Sequence, residues 1–245
     1  MDTVSILGLP IRRVSTEQAL AFVTDAIARR DRPRHIVTAD ASMAVIARRD
    51  PELRAIIAAA DLVTPDGFGI LWASRLLRTP ITHKVSGVDL VGHVCRLSTE
   101  CGWRVFFLGA APGVAEEAAA RLRAWYPGAQ IVGTQDGYFT PDQEPDVLAR
   151  IRAAAPDVLL VAFGIPKQEK WIARHRAELN IPISVGVGGS FDVYSGRVKR
   201  APVWMQEHGW EWLHRLASNP KKIGKVMTLP EFVLLALRQR FLGAS

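Results

Sequence analysis

The sequence predicts an α/β fold: a mostly parallel sheet with helices on both faces, followed by a C-terminal helical appendage. Three observations lead there. Short β-rich apolar runs alternate with longer Ala- and Arg-rich helical patterns. The runs are nearly continuous in apolar residues, as strands buried on both faces are. The alternation stops after Gly186-Val-Gly-Gly189, and the remaining chain carries Trp and basic residues without a strand pattern. The arrangement is Rossmann-like.

Seven strands are expected, at Val4–Leu9, His35–Thr38, Leu62–Thr64, Arg104–Leu108, Gln130–Gly133, Val158–Ala162 and Ile183–Val187. Helical patterns fall at 16–30, 41–48, 51–60, 68–77, 88–100, 113–125, 142–154 and 167–179. Ser15-Thr-Glu-Gln18 fits a capping box. Asp50-Pro51 supplies a cap followed by Pro at the first helical position. Residues 1–196 form the α/β body and 197–245 the appendage, read as two or three helices.

Composition narrows the class. Hydrophobic residues make up 49% and charged residues 22%, which suits a packed globular chain rather than a disordered one. The net charge of +7 is unevenly placed. Residues 197–245 hold nine Lys and Arg against three Glu, so the body is close to neutral. A basic tail on a neutral body points to a polyanion or an anionic surface. The N-terminus lacks the basic and long apolar parts of a signal peptide, and no run reaches the length of a membrane span. Cys95 and Cys101 are not in a CxxC spacing and fall in a helical pattern, which suits packed free thiols. The expected setting is the cytoplasm. The six His show no HxH or HExxH spacing and there is no DxD pair, so no metal site is expected.

In open α/β sheets, ligands bind beyond the carboxyl ends of the strands. The polar residues there are the site candidates. Thr38 and Asp40 follow the second strand. Asp66 follows the third, between Pro65 and Gly67. A carboxylate held at a strand end can act as a general base, and the same position suits a turn Asp or a helix cap. Gly109-Ala-Ala-Pro-Gly113 is a small-residue loop entering a helix, which fits either a phosphate at the helix N-terminus or a plain turn. Asp136-Gly-Tyr138 follows the fifth strand. Lys167 and Gln168 open a helix, as anion or sugar ligands or as a solvated first turn. Asp192 lies beyond the last strand. In the tail, Trp204, Trp210 and Trp212 accompany Arg215, Lys221, Lys222 and Lys225. Rings beside cations suit an interfacial segment, and the same residues suit a helix packed on the body.

The ordered motifs resemble the WecG/TagA/CpsF family of bacterial glycosyltransferases. They are Thr38-Ala-Asp40, Ala60-Asp-Leu-Val-Thr-Pro-Asp-Gly67, Val85-Ser-Gly-Val-Asp-Leu90, Phe106-Phe-Leu-Gly-Ala-Ala-Pro-Gly113, Gly137-Tyr-Phe139, Phe163-Gly-Ile-Pro-Lys-Gln-Glu169, Val187-Gly-Gly-Ser-Phe-Asp192 and Ser195-Gly196, with Arg200-Ala-Pro202 and Glu211-Trp-Leu213. The resemblance covers nearly the whole chain. It implies an inverting, metal-independent transfer from a UDP-sugar to a sugar on polyprenyl (undecaprenyl) diphosphate, in cell-surface polysaccharide or exopolysaccharide synthesis. It implies no cofactor, and peripheral association with the inner face of the membrane through residues 200–245. Asp66 then looks like the general base, with Thr38 and Gln168 as substrate-positioning polar residues. Asp40, Lys84, Gly109, Gly113, Tyr138, Lys167 and Asp192 look like substrate ligands, joined by Arg215, Lys221, Lys222 and Lys225 on the lipid diphosphate. The family commonly has Asn at position 40 and Arg at position 84, so Asp40 and Lys84 are departures that bear on specificity. Two rival classes differ in their motifs. A nucleotide-binding oxidoreductase calls for GxGxxG, which the chain lacks. A nucleic-acid-binding module calls for basic residues along one face, whereas here they gather in an apolar tail.

Overall fold

A computed structural model describes residues 2–202, 204–205 and 228–243. The chain opens with an antiparallel hairpin, β1 (Thr3–Ile6) and β2 (Leu9–Arg12), with Val4 opposite Ile11. This corrects the single strand expected over residues 4–9. Leu7 and Gly8 both take positive φ, 50° and 81°, and turn the chain back on itself. An unbroken apolar run conceals that turn.

The remaining elements alternate as expected. They are α1 (Thr16–Arg29), β3 (Arg34–Ala39), α2 (Ala41–Arg49), α3 (Pro51–Ala58), β4 (Leu62–Pro65), α4 (Phe68–Leu76), α5 (Gly87–Cys101), β5 (Val105–Gly109), α6 (Val114–Trp125), β6 (Ile131–Gln135), α7 (Glu144–Ala154), β7 (Val158–Ala162), α8 (Lys167–Leu179), β8 (Ile183–Gly186), α9 (Ser190–Tyr194) and α10 (Thr228–Leu242). Ser15 and Gln18 form the capping box at α1, and Asp50 caps α3 ahead of Pro51. Five residues long, α9 is too short for its periodicity to be read from the sequence.

Six strands form one all-parallel sheet in the order β4-β3-β8-β7-β5-β6. Strands β3, β4, β5, β7 and β8 are buried along their whole length, as continuous apolar strands between two helical layers should be. On one face Ile36, Val105, Phe107 and Leu160 pack against α1, α5, α6 and α9. On the other, Val37 and Val63 pack against α2, α3, α4 and the hairpin, while Phe106 and Val161 pack against α7 and α8. The helices after β5 and β7 therefore lie on opposite faces, so a topological switch point falls between these two neighbours.

The end of the tail joins the second of these layers. Phe232 and Ala236 of α10 are buried in the core beside Trp72 and Met43. Gln239 accepts from Leu7 N–H at 2.9 Å and donates to the Ser5 carbonyl at 3.2 Å, and Glu231 pairs with Arg49. Trp204 is about half exposed rather than part of the core. Trp210 and Trp212 lie outside the described residues. Cys95 is packed inside α5, its thiol pushed up to about 12 by burial. Cys101 is exposed at the end of the same helix rather than packed.

His35 makes stability depend on pH. It is buried on β3, and its Nε2 has no hydrogen-bond partner. Burial, helped by the Arg176 charge, pushes its imidazole down from 6.5 to about 4. The folded chain keeps it neutral while the unfolded chain protonates it near its ordinary value. Its stabilisation is complete above that value and is lost as pH falls from 6.5 towards 4. The wild-type chain should lose about 3 kcal/mol more than His35→Gln between pH 7 and pH 4. Denaturant unfolding at the two pH values checks this, and equal losses would contradict it.

Candidate active site

The carboxyl ends of the six strands form one rim, and backbone contacts lace it together. The Thr38 hydroxyl donates to the Gly186 carbonyl at 2.8 Å, tying β3 to β8. Ala110 N–H donates to the Ala162 carbonyl at 2.9 Å, tying β5 to β7. Gly137 N–H donates to the Ala110 carbonyl at 2.9 Å, tying the turn after β6 to the turn after β5. Gln168 joins β7 to β8: its Oε1 accepts from Gly164 N–H at 3.1 Å and Gly188 N–H at 3.0 Å. Its Nε2 donates to Glu169 Oε1 at 2.8 Å.

Asp66 sits just past β4. Its backbone N–H donates to the Ala39 carbonyl at 2.9 Å, and its Oδ2 accepts from Gly87 N–H at 3.2 Å. Gly87 is the first residue of α5, so the carboxylate faces the positive end of a 15-residue helix. Thr64 supports this arrangement by donating to the Val85 carbonyl at 3.0 Å, and Val85 N–H returns to the Pro65 carbonyl at 2.9 Å. Gly87 is closely packed, since a Cβ there would stand 3.2 Å from Val187 Cα.

The other sequence candidates divide into two groups. Asp66, Thr38, Asp40 and Lys84 lie towards the β4 side. Gly109, Gly113, Tyr138 and Lys167 lie towards the β6 side. From β4 to β5 there are four strand spacings, about 19 Å along the sheet. The two groups can therefore serve different ends of one long ligand, with Thr38 and Gln168 linking the strand ends between them. Asp192 lies in the first turn of α9, where its carbonyl accepts from Val198 N–H. Arg215, Lys221, Lys222 and Lys225 lie outside the described residues.

Several candidates do something other than the sequence suggested. Asp40 is the cap of α2: its Oδ1 accepts from Met43 N–H at 2.8 Å and the Ser42 hydroxyl at 2.6 Å. Thr38 and Gln168 are 6% and 1% exposed, so they hold the backbone that lines the rim rather than reaching out over it. Gly109 is bound by geometry. It takes φ +119°, and a Cβ would lie 2.6 Å from the Ala162 carbonyl oxygen. Gly113 caps α6 without a side-chain bond, but Glu116 and Glu117 occupy the first turn and Glu117 pairs with Arg197 at 2.7 Å. These acids already complement that helix end, which weakens it as an anion site. Lys167 is exposed at the first position of α8. Tyr138 is 75% exposed, while Phe139 beneath it stacks edge-on against Phe163.

Ser86, Asp89 and Arg200 fall within the sequence motifs but have no role assigned there. Ser86 caps α5, accepting from Asp89 N–H at 3.3 Å while its hydroxyl donates to Asp89 Oδ2 at 2.6 Å. Ser86-Gly-Val-Asp89 has the spacing of a capping box, and that was the available signal. Arg200 pairs with Asp89 at 2.7 Å across 111 positions of sequence, and no local pattern reports it.

A doubly wound sheet with a carboxylate and glycine-lined loops on its carboxyl rim presents these residues where open α/β folds bind their ligands. The chain belongs to the WecG/TagA/CpsF family of glycosyl transferases, whose model matches residues 4–245. It is similar to the N-acetylglucosaminyldiphosphoundecaprenol N-acetyl-beta-D-mannosaminyltransferase of Bacillus spizizenii (strain ATCC 23059 / NRRL B-14472 / W23). The two are 36% identical over 210 residues, covering 86% of this chain and 81% of that protein. The protein of the same name from Bacillus subtilis (strain 168) is 33% identical over 205 residues, covering 83% and 79%. The chain is a glycosyltransferase.

Proposed function

We propose that the protein transfers a sugar from a UDP-sugar to a sugar carried on polyprenyl (undecaprenyl) diphosphate, inverting the anomeric centre without a metal. The observation that carries this reading is Asp66, held at the strand-end rim by the first N–H of α5. The names of the two Bacillus relatives support the acceptor class, N-acetylglucosamine on a diphosphate-linked polyprenol, and offer N-acetylmannosamine as one donor sugar.

In this reading the acceptor hydroxyl oxygen attacks the anomeric carbon in line. The bond from that carbon to the UDP oxygen breaks, and UDP leaves with the electron pair. Asp66 takes the acceptor proton. The charge growing on the diphosphate needs fixed donors and cations. Lys84, on the same side of the sheet as Asp66, supplies a cation there, while Lys167, the turn Gly109–Gly113, Tyr138 and Asp192 hold the nucleoside end further along the rim. Thr38 and Gln168 keep the rim in register. Lys84 lies near the base and, as a point charge where the family commonly has Arg, grips phosphate with less directional force. Asp40, committed to its helix cap, shapes the acceptor side through α2. Arg215, Lys221, Lys222 and Lys225 grip the lipid diphosphate and bring the rim to an anionic membrane. Among the described residues no helix is long and apolar enough to cross a membrane; the reading places the enzyme on the inner face of the membrane because its acceptor is lipid-linked and its tail is basic. The product then enters cell-surface polysaccharide or exopolysaccharide synthesis.

A panel of UDP-sugars offered with synthetic polyprenyl diphosphate N-acetylglucosamine tests the reading, with product mass as readout and chelator present or absent. One added sugar from a UDP donor, unaffected by chelator, is the expected result. No product from any UDP donor would overturn it, and a strict metal requirement would overturn the metal-independent mechanism.

A further inference from the structure

We propose that Arg200, acting through Asp89, is a positioning residue for the Asp66 carboxylate. This deepens the proposed function and rests on the reading of Asp66 as the base. Asp66 Oδ2 accepts from Gly87 N–H, so the placement of the first turn of α5 bears on the carboxylate. That turn is held from one side by one stretch of chain. Val187 packs closely against Gly87, where a Cβ would stand 3.2 Å from the Val187 Cα. The Tyr194 hydroxyl donates to the Val88 carbonyl at 2.9 Å. Arg200 donates to Asp89 Oδ1 at 2.7 Å, while Asp89 Oδ2 accepts from the cap residue Ser86.

Residues 187–200 thus contact the helix turn at three consecutive positions, 87, 88 and 89. The stretch is itself anchored, because Phe191 is fully buried and stacks on Phe107 with ring centroids 4.6 Å apart. Asp89 is suited to the task. Burial would raise its carboxyl, but the Ser86 hydroxyl and Arg200, with Lys84 nearby, outweigh burial and hold it below the usual carboxylate range. It stays charged, and both its oxygens are used.

Arg200→Ala, Asp89→Asn, the double variant and Arg200→Lys in the full-length chain test this. Arg200 is partly exposed, so its replacement should leave the fold intact. Each single variant should lower kcat about tenfold through misplacement of the base, with donor KM changed less than about twofold. The acid limb of the kcat profile should move to higher pH, because a carboxylate that loses its N–H partner protonates more readily. The double variant should be no slower than either single variant, and Arg200→Lys should recover part of the rate. Wild-type kcat in Arg200→Ala, additive losses in the double variant, or a loss confined to donor KM would each overturn the proposal. Asp66→Asn run alongside separates the two ideas. If it is dead while Arg200→Ala runs at full rate, only the brace is wrong. If it turns over normally, the base assignment is wrong.

Discussion

With Arg215, Lys221, Lys222 and Lys225 changed together to Gln, the enzyme should no longer sediment with anionic vesicles. Each basic residue near an anionic surface contributes about 1 kcal/mol, so four contribute about 4 kcal/mol. That corresponds to roughly a thousandfold in partitioning. Wild-type binding should also weaken as salt rises, since the Debye length shortens to about 8 Å at physiological ionic strength. Charge removal is the right probe, and truncation at residue 200 is not. Truncation would strip Phe232 and Ala236 from the core and leave the β1–β2 hairpin without Gln239. Loss of binding would then report damage to the body. The four substitutions spare α10 and leave Trp204, Phe241 and Leu242 to whatever apolar contact they make. Unchanged co-sedimentation would refute the electrostatic membrane role.

The second large effect is at Asp66. Asp66→Asn should fold as the wild type does, because the amide oxygen can still accept from Gly87 N–H and the Asp66 backbone bond to Ala39 is untouched. What it loses is proton affinity at the moment the acceptor oxygen bonds to carbon. A positioned general base contributes about 10²–10⁴-fold, so kcat should fall by that much. Donor affinity should hold, since the residues assigned to the nucleoside end lie further along the rim.

Much of this arrangement is legible in the sequence. The strand-end rule needs only the order of elements, and continuous apolar runs marked strands β3, β4, β5, β7 and β8 because both faces of the sheet are covered. Asp66 stood out because Pro65 and Gly67 flank it. The first hairpin was hidden because Leu7, an apolar residue, takes a conformation that usually marks Gly. Gln168 read, with Lys167, either as an anion or sugar ligand or as part of a solvated first turn, but in the fold Gln168 and Glu169 pack side by side. They are buried because Gly186 leaves the space they fill: a Cβ there would sit 2.5 Å from Gln168 Nε2 and 2.7 Å from Glu169 Oε1. That vacancy lies 18 positions further along the chain. The pairing of Arg200 with Asp89 is longer in range still, and only the folded chain brings these residues together.

The central claim is that the Asp66 carboxylate takes the acceptor proton during sugar transfer. The most direct measurement pairs donor binding with product mass in one sample of Asp66→Asn, given saturating UDP-sugar and synthetic polyprenyl diphosphate N-acetylglucosamine. The account predicts wild-type donor affinity with product formed at least a hundredfold more slowly, the lower bound of a general base's contribution at about 10². Product formed at the wild-type rate would contradict it.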